Sequence, residues 1–200
     1  ATIRRQRQMC IRDRFISNSG ENSVIHLATH ALIDNENPGN SKLVFSHPTD
    51  SADDGYLHLS ELYNLQFNSP LAVLSACNTG DGKLVKGEGI MSMARGFAYA
   101  GCPSVVMSLW QANDQSTAEI MGYFYKYLSD GRSKSVALRK AKLDYLRNTE
   151  SNLKAHPFFW SAFVLIGDVE PIQFEKNGGC NYWLLGLSLI HISEPTRHRR

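Results

Sequence analysis

The sequence predicts an α/β fold in three layers, with a mainly parallel sheet covered by helices on both faces. Four short runs are rich in β-branched and aromatic residues, as strands are. They lie at residues 24–28, 71–76, 104–110 and 163–166. These runs are apolar throughout, and segments with helical periodicity separate them. Strands that are apolar on both faces and joined by helices are typical of a buried parallel sheet.

The segments between the strands carry the apolar spacing and the end signals of helices. The third helical segment has the clearest end signals, because Ser116 and Glu119 have capping-box spacing and Gly131 ends the helix. Polar turn signals around residues 42–46 instead predict a small hairpin or a pair of surface strands. The four predicted helices cover residues 59–65, 88–100, 116–130 and 135–147.

The two ends of the chain differ from its body. Residues 1–14 and 187–200 together hold eight Arg, and residues 8–14 and 187–200 resemble translated sequencing-adapter sequence. We therefore treat 1–14 and 187–200 as suspected non-native tails and leave them out of fold reasoning. Residues 15–175 are then the predicted domain, and 176–186 are a linker or the start of a hydrophobic segment. This interpretation makes the chain an interior fragment of a longer protein.

Composition limits the classes of function. Without the two tails the chain has 13 basic and 17 acidic residues, so no basic face suited to phosphates is expected and direct nucleic-acid binding is disfavoured. Cys77 and Cys102 lack the paired spacing of a disulfide framework, which favours a reducing, cytoplasmic location. The aromatic and apolar residues at 181–186 leave open a membrane anchor or a plain hydrophobic segment.

Two reactive side chains follow predicted strands directly. His30 follows the strand at 24–28, and Cys77 follows the strand at 71–76. Sites in open parallel sheets form outside the carboxyl ends of the strands, so both residues are expected at one edge. A neighbouring imidazole favours the thiolate, which is the form of cysteine that attacks a carbonyl. The backbone N–H groups of Cys77 and Ala31 are candidates for an oxyanion hole.

The order and spacing of this pair point to one class of peptidase. Cys77 lies 47 residues after His30, and a histidine about 50 residues before the nucleophile is typical of caspases. Taken singly, a buried cysteine is usually a small core residue, and we give Cys102 that interpretation. A zinc site at His26 and His30 is disfavoured because i, i+4 positions on a strand lie roughly 13 Å apart. No metal or organic cofactor is implied.

An ordered series of motifs over residues 22–170 resembles the CHAT domain, a caspase-like domain associated with tetratricopeptide repeats. The resemblance implies a caspase-like fold, a catalytic dyad of His30 and Cys77, and a cysteine endopeptidase of the caspase, gingipain and separase group. It also implies a further central strand before the His-bearing one, which we expect this fragment to lack, an upstream repeat or sensor module, and a bacterial source. The motifs are IHLATH at 25–30, LSACNTG at 74–80, GEG at 87–89, ARGF at 94–97, SLW at 108–110 and HPFFW at 156–160.

The resemblance also suggests residues of the substrate pocket. Ser75, two residues before the nucleophile, is placed in the pocket wall and is small and neutral. Asp114 is either an acidic group of that pocket or the cap of the following helix, and Trp110 is either core or pocket wall. Family members commonly have Gly after the histidine, whereas this chain has Ala31. The Gly-rich residues 80–89 lack the ending of a phosphate loop and are expected to form a substrate-side or processing loop.

Two other functions remain open at this point. A catalytically silent caspase-like module would keep the fold and recruit protein partners. An amidase or esterase acting on small molecules would use the same dyad without an extended peptide. A peptidase differs from both because it requires a protein or peptide substrate with residues on the acyl side of the cut.

Overall fold

A computed structural model describes most of the predicted domain. For residues 77–78, 88–90 and 187–191 it describes the backbone only. The described residues are 12, 15–16, 24–34, 36–45, 54–75, 77–78, 88–110, 112–174 and 187–191.

The described part of the chain alternates strands and helices along most of its length, as the sequence predicts. The strands are β1 (Val24–Ala28), β2 (His30–Leu32), β3 (Lys42–Val44), β4 (Tyr56–His58), β5 (Ala72–Leu74), β6 (Cys77–Asn78), β7 (Ser104–Ser108), β8 (Phe163–Gly167) and β9 (Leu187–His191). The helices are α1 (Leu59–Leu62), α2 (Glu88–Tyr99), α3 (Asp114–Ser129), α4 (Lys134–Asn148) and α5 (Pro157–Trp160).

The main sheet has five strands in the order β8-β7-β5-β1-β9. All neighbours in it run parallel except β7 and β8, which are antiparallel. Helices cover both of its faces, so the predicted α/β fold with a mainly parallel sheet is confirmed.

The position beside β1 is occupied by β9, which pairs with β1 in parallel from Val24↔Leu187 to Ala28↔His191. The further strand that the resemblance implies precedes β1 in the chain, whereas β9 follows β8. The strand β9 lies within residues 187–200, which the sequence analysis sets aside as a suspected tail. At the N-terminal boundary of the predicted domain, the side chain of Phe15 is buried in the core.

Alternation along the strands divides the core into two layers. Ile25 and Leu27 of β1 face the layer that contains α1, α2 and the apolar side chains of β3 and β4. Val24 faces the opposite layer, formed by α3 and α4. Full burial of one such aliphatic side chain contributes about 1.5–3 kcal/mol, so both helical layers are held to the sheet mainly by apolar contact.

A second, smaller sheet has the order β4-β3-β2-β6. Its β3 and β4 are antiparallel, which confirms the pair of strands predicted around residues 42–46. Both β1 and β5 pass from the main sheet into this small sheet, continuing as β2 and β6. Beside this crossing the Ser75 amide donates to the Leu27 carbonyl at 3.1 Å.

The start of α3 differs from the prediction. The N-cap is Asn113, whose side-chain oxygen accepts from the Ser116 amide at 3.1 Å. The predicted capping box of Ser116 and Glu119 is therefore wrong, because Asn113 is itself a good cap and begins the helix at Asp114. The Ser116 hydroxyl instead bonds the Tyr145 hydroxyl of α4 at 2.8 Å and so joins the two helices.

Gly101 ends α2 in a conformation that excludes other residues. Its φ of +101° lies where L side chains are strained, and a Cβ there would stand 2.3 Å from the Phe67 carbonyl oxygen. Gly122, inside α3, has no heavy atom within 4 Å of the corresponding position apart from the nearby backbone of its own helix. A methyl group would therefore clash with the backbone at Gly101 and would fit without a clash at Gly122.

We expect Gly101→Ala to lower the free energy of unfolding by about 1–3 kcal/mol, because it combines backbone strain with a steric clash. Gly122→Ala should raise it by about 0.5–1 kcal/mol, because alanine is the better helix former. Urea denaturation of both variants measures the two changes. Equal effects of the two substitutions would contradict this account of Gly101.

Candidate functional site

The two dyad candidates are direct neighbours in the small sheet. β2 pairs with β6 in parallel, with His30 opposite Cys77 and Ala31 opposite Asn78. Neighbouring strands lie about 4.7–4.9 Å apart, so the backbones of His30 and Cys77 are adjacent although 47 residues separate them in the chain. The structure describes the backbone of Cys77, and its side chain lies outside the described part.

Each dyad candidate is positioned by the strand that precedes it. β1 and β5 are paired in register up to Leu27↔Leu74, and both continue into the small sheet within three residues. The Thr29 hydroxyl donates to the Val44 carbonyl and fixes the crossing between β1 and β2. The two neighbouring parallel strands β1 and β5 thus place His30 and Cys77 opposite each other in the small sheet.

Ala31 is buried in the middle of the small sheet. It pairs with Asn78 on one side and with Leu43 on the other. The φ angle of Ala31 is negative, since every described residue with positive φ is a glycine. Alanine in place of the common glycine is therefore compatible with the local backbone. The role of the Ala31 and Cys77 amides in an oxyanion hole stays a prediction.

Ser75 stands at the end of β5, partly exposed, and its hydroxyl is held by a histidine. The Nε2 atom of His26 lies 3.0 Å from Ser75 Oγ, and the Nδ1 atom of His26 lies 2.8 Å from the hydroxyl of Tyr125 in α3. His26 is only 8% exposed. From the sequence, His26 is a candidate only for the disfavoured zinc site, and Tyr125 is not among the predicted site residues.

Burial raises the pKa of the Tyr125 hydroxyl above its usual value. The phenol therefore stays protonated at neutral pH and is available as a hydrogen-bond donor. The rings of His26 and Tyr125 also pack together, with centroids 5.7 Å apart. This contact ties α3 to the face of the main sheet that leads to the dyad.

Trp110 and Asp114 follow the carboxyl end of β7, as expected. The Trp110 indole N–H donates to the Phe158 carbonyl at 3.0 Å, and the two rings stack with centroids 6.4 Å apart. Asp114 is exposed in the first turn of α3. The interpretation of Asp114 as the helix cap is wrong, because Asn113 fills that position. The pocket roles of Asp114 and Trp110 stay predictions.

Cys102 has no accessible surface, and burial raises the pKa of its thiol to about 12. A thiol in this state is neutral and unreactive near pH 8, because only the thiolate is nucleophilic. This agrees with its interpretation as a core residue.

Within the described residues, no cluster of three or more His, Cys, Asp or Glu side chains is placed to hold a metal ion. His26 instead bonds two hydroxyl groups. Among the helices in the described part of the chain, none combines the length and apolar character needed to cross a membrane. The predicted loop at residues 80–89 lies mostly outside the described residues.

Comparison with known proteins decides the family. A family model described as the CHAT domain matches residues 7–168. The chain belongs to the CHAT domain family. The match takes in residues 8–14, which the sequence analysis set aside as suspected tail, and the fold described above is the caspase-like fold expected of this domain.

Two curated relatives carry tetratricopeptide repeats in their names. The chain is 27% identical over 220 residues to human tetratricopeptide repeat protein 28 and 26% identical over 223 residues to the mouse protein. These alignments take in 94% and 96% of this chain but 8% and 9% of the relatives. The CHAT domain chain thus spans less than a tenth of either relative. Both are mammalian, and the bacterial source stays a prediction.

We expect Cys102 in the native chain to resist alkylation by iodoacetamide at pH 8, because its raised pKa leaves almost no thiolate. Peptide mapping by mass spectrometry measures the modification at each cysteine. Unfolding the chain in urea before labelling is the control and should make Cys102 reactive. Rapid native labelling of Cys102 would contradict its burial.

Proposed function

We propose that the CHAT domain of this chain is a cysteine endopeptidase that cleaves protein substrates with His30 and Cys77. The observation that carries the proposal is the pairing of His30 with Cys77 across β2 and β6. A histidine beside a cysteine at the carboxyl ends of parallel strands is the arrangement that activates a thiol nucleophile. Family membership supports the same reaction class.

In the proposed reaction His30 accepts the thiol proton of Cys77, which gives a thiolate and an imidazolium. The thiolate attacks the carbonyl carbon of the peptide bond, and the negative oxygen receives hydrogen bonds from the amides of Ala31 and Cys77. His30 then donates its proton to the leaving amine as the C–N bond breaks. Water hydrolyses the resulting thioester, releasing the acid and restoring the thiol of Cys77.

The partners proposed for the intact protein are a protein substrate and a repeat module outside this chain. The repeat module is supported by the names of the two relatives, both of which refer to tetratricopeptide repeats. We propose a cytoplasmic location, supported by cysteines without disulfide spacing.

A second candidate is a catalytically silent module that binds other proteins through the same fold. The names of the relatives favour it, since they refer to a repeat and to no enzymatic activity. The presence of both His30 and Cys77 at paired positions favours the peptidase. The two candidates differ in one observable, which is peptide-bond cleavage that depends on Cys77.

We expect the wild-type chain to cut a peptide library and Cys77→Ala to produce no cuts, because the nucleophile is lost. His30→Ala should slow cleavage by about 10²–10⁴-fold, the usual contribution of a general base. Sequencing of new N-termini by mass spectrometry measures both effects.

Cys102→Ala is the matched control and should cleave like the wild type, because Cys102 is buried in the core. Circular dichroism establishes that each variant is folded. A folded wild type with the same cuts as Cys77→Ala would overturn the peptidase proposal in favour of the binding module.

A further inference from the structure

Three side chains beside the dyad form a hydrogen-bonded series that the proposed reaction does not use. We call Tyr125, His26 and Ser75 the histidine relay. The Tyr125 hydroxyl lies 2.8 Å from Nδ1 of His26, and Nε2 of His26 lies 3.0 Å from Ser75 Oγ. The relay therefore runs from α3, across β1, to the end of β5.

The direction of the relay depends on the tautomer of His26. We take the tautomer with the ring hydrogen on Nε2, in which the Tyr125 O–H donates a hydrogen bond to Nδ1 of His26. His26 then carries its hydrogen on Nε2 and donates it to Ser75 Oγ. Successive hydrogen bonds polarise one another in a protein interior. In this tautomer the Ser75 hydroxyl accepts from His26, which leaves its own hydrogen for a further acceptor.

The backbone holds both ends of this contact in place. His26 pairs with Val73 between β1 and β5, and the Ser75 amide donates to the Leu27 carbonyl at 3.1 Å. His26 is buried, whereas Ser75 is partly exposed and lies two residues before Cys77. The buried part of the relay thus orients the hydroxyl of a partly exposed residue close to the dyad.

We propose that the relay makes Ser75 a hydrogen-bond donor to the substrate side chain that precedes the cut, so that the enzyme prefers Asn or Gln there. This inference rests on the proposed peptidase function and on the pocket-wall role that the family resemblance implies for Ser75. A neutral donor matches the carbonyl oxygen of an uncharged amide. An apolar side chain of the same shape leaves the hydroxyl unpaired and is bound less well.

In this proposal Ser75 determines specificity, and His26 and Tyr125 are positioning residues. Wild-type kcat/KM should be about five- to tenfold higher for peptides with Asn or Gln before the cut than for the isosteric Leu or norleucine peptides, the size of one neutral hydrogen bond. Ser75→Ala and Tyr125→Phe should bring that ratio close to one. Both peptides are measured on the same variant, so a loss of folded protein cancels from the ratio.

Tyr127→Phe is the matched control, because Tyr127 lies on the same helix but donates to Asp144. It should leave the wild-type ratio unchanged. Nitrogen-15 spectra of labelled histidine provide a readout independent of activity. We expect His26 to be protonated at Nε2 alone in the wild type and to lose that fixed tautomer in Tyr125→Phe.

The outcomes separate the relay from the peptidase. An active wild type whose ratio does not change in Ser75→Ala and Tyr125→Phe would overturn the relay proposal alone. A preference for Lys or Arg that survives both substitutions would overturn it in favour of an acidic pocket at Asp114. A wild type that cuts no peptide would overturn the peptidase and the specificity role together, and the spectra would still report the relay itself.

Discussion

The parallel pairing of β1 with β5 determines where each residue of the candidate site lies. Because the two strands are in register up to Leu27 and Leu74, their continuations enter the small sheet at the same level. His30 and Cys77 therefore become paired neighbours there. The apolar layers on both faces of the main sheet hold this register, since a slip by one residue would turn every buried side chain to the opposite face.

The main sheet is almost wholly apolar near the site, and His26 is the exception within β1. A buried imidazole requires partners at both nitrogens, and Ser75 and Tyr125 fill those positions. The partners lie on β5 and α3, so satisfying one polar side chain links three elements. An aliphatic residue would be enough for packing at this position. The histidine also links β1 to β5 and α3, and in the proposal it positions the residue that determines specificity.

Most of the fold could be predicted from sequence because its signals are local. The apolar runs and helix ends located β1, β5, β7 and β8 to within a few residues, but β2 and β6 are too short to show a period. The start of α3 was misplaced because Asn113 and Ser116 are both capping residue types, and only geometry shows which one caps. His26 and Tyr125 lie 99 residues apart, and their contact depends on how α3 lies across the sheet.

The most direct test of the account is the pH dependence of Cys77 alkylation in the wild type and in His30→Ala. An imidazolium beside the thiolate should let Cys77 react well below the ordinary thiol pKa of about 8.5, and removal of His30 should shift the profile back toward that value. Rates at Cys77 are measured by peptide mapping across the pH range. Superimposable profiles in the two proteins would contradict the claim that strand pairing makes His30 and Cys77 a functional dyad.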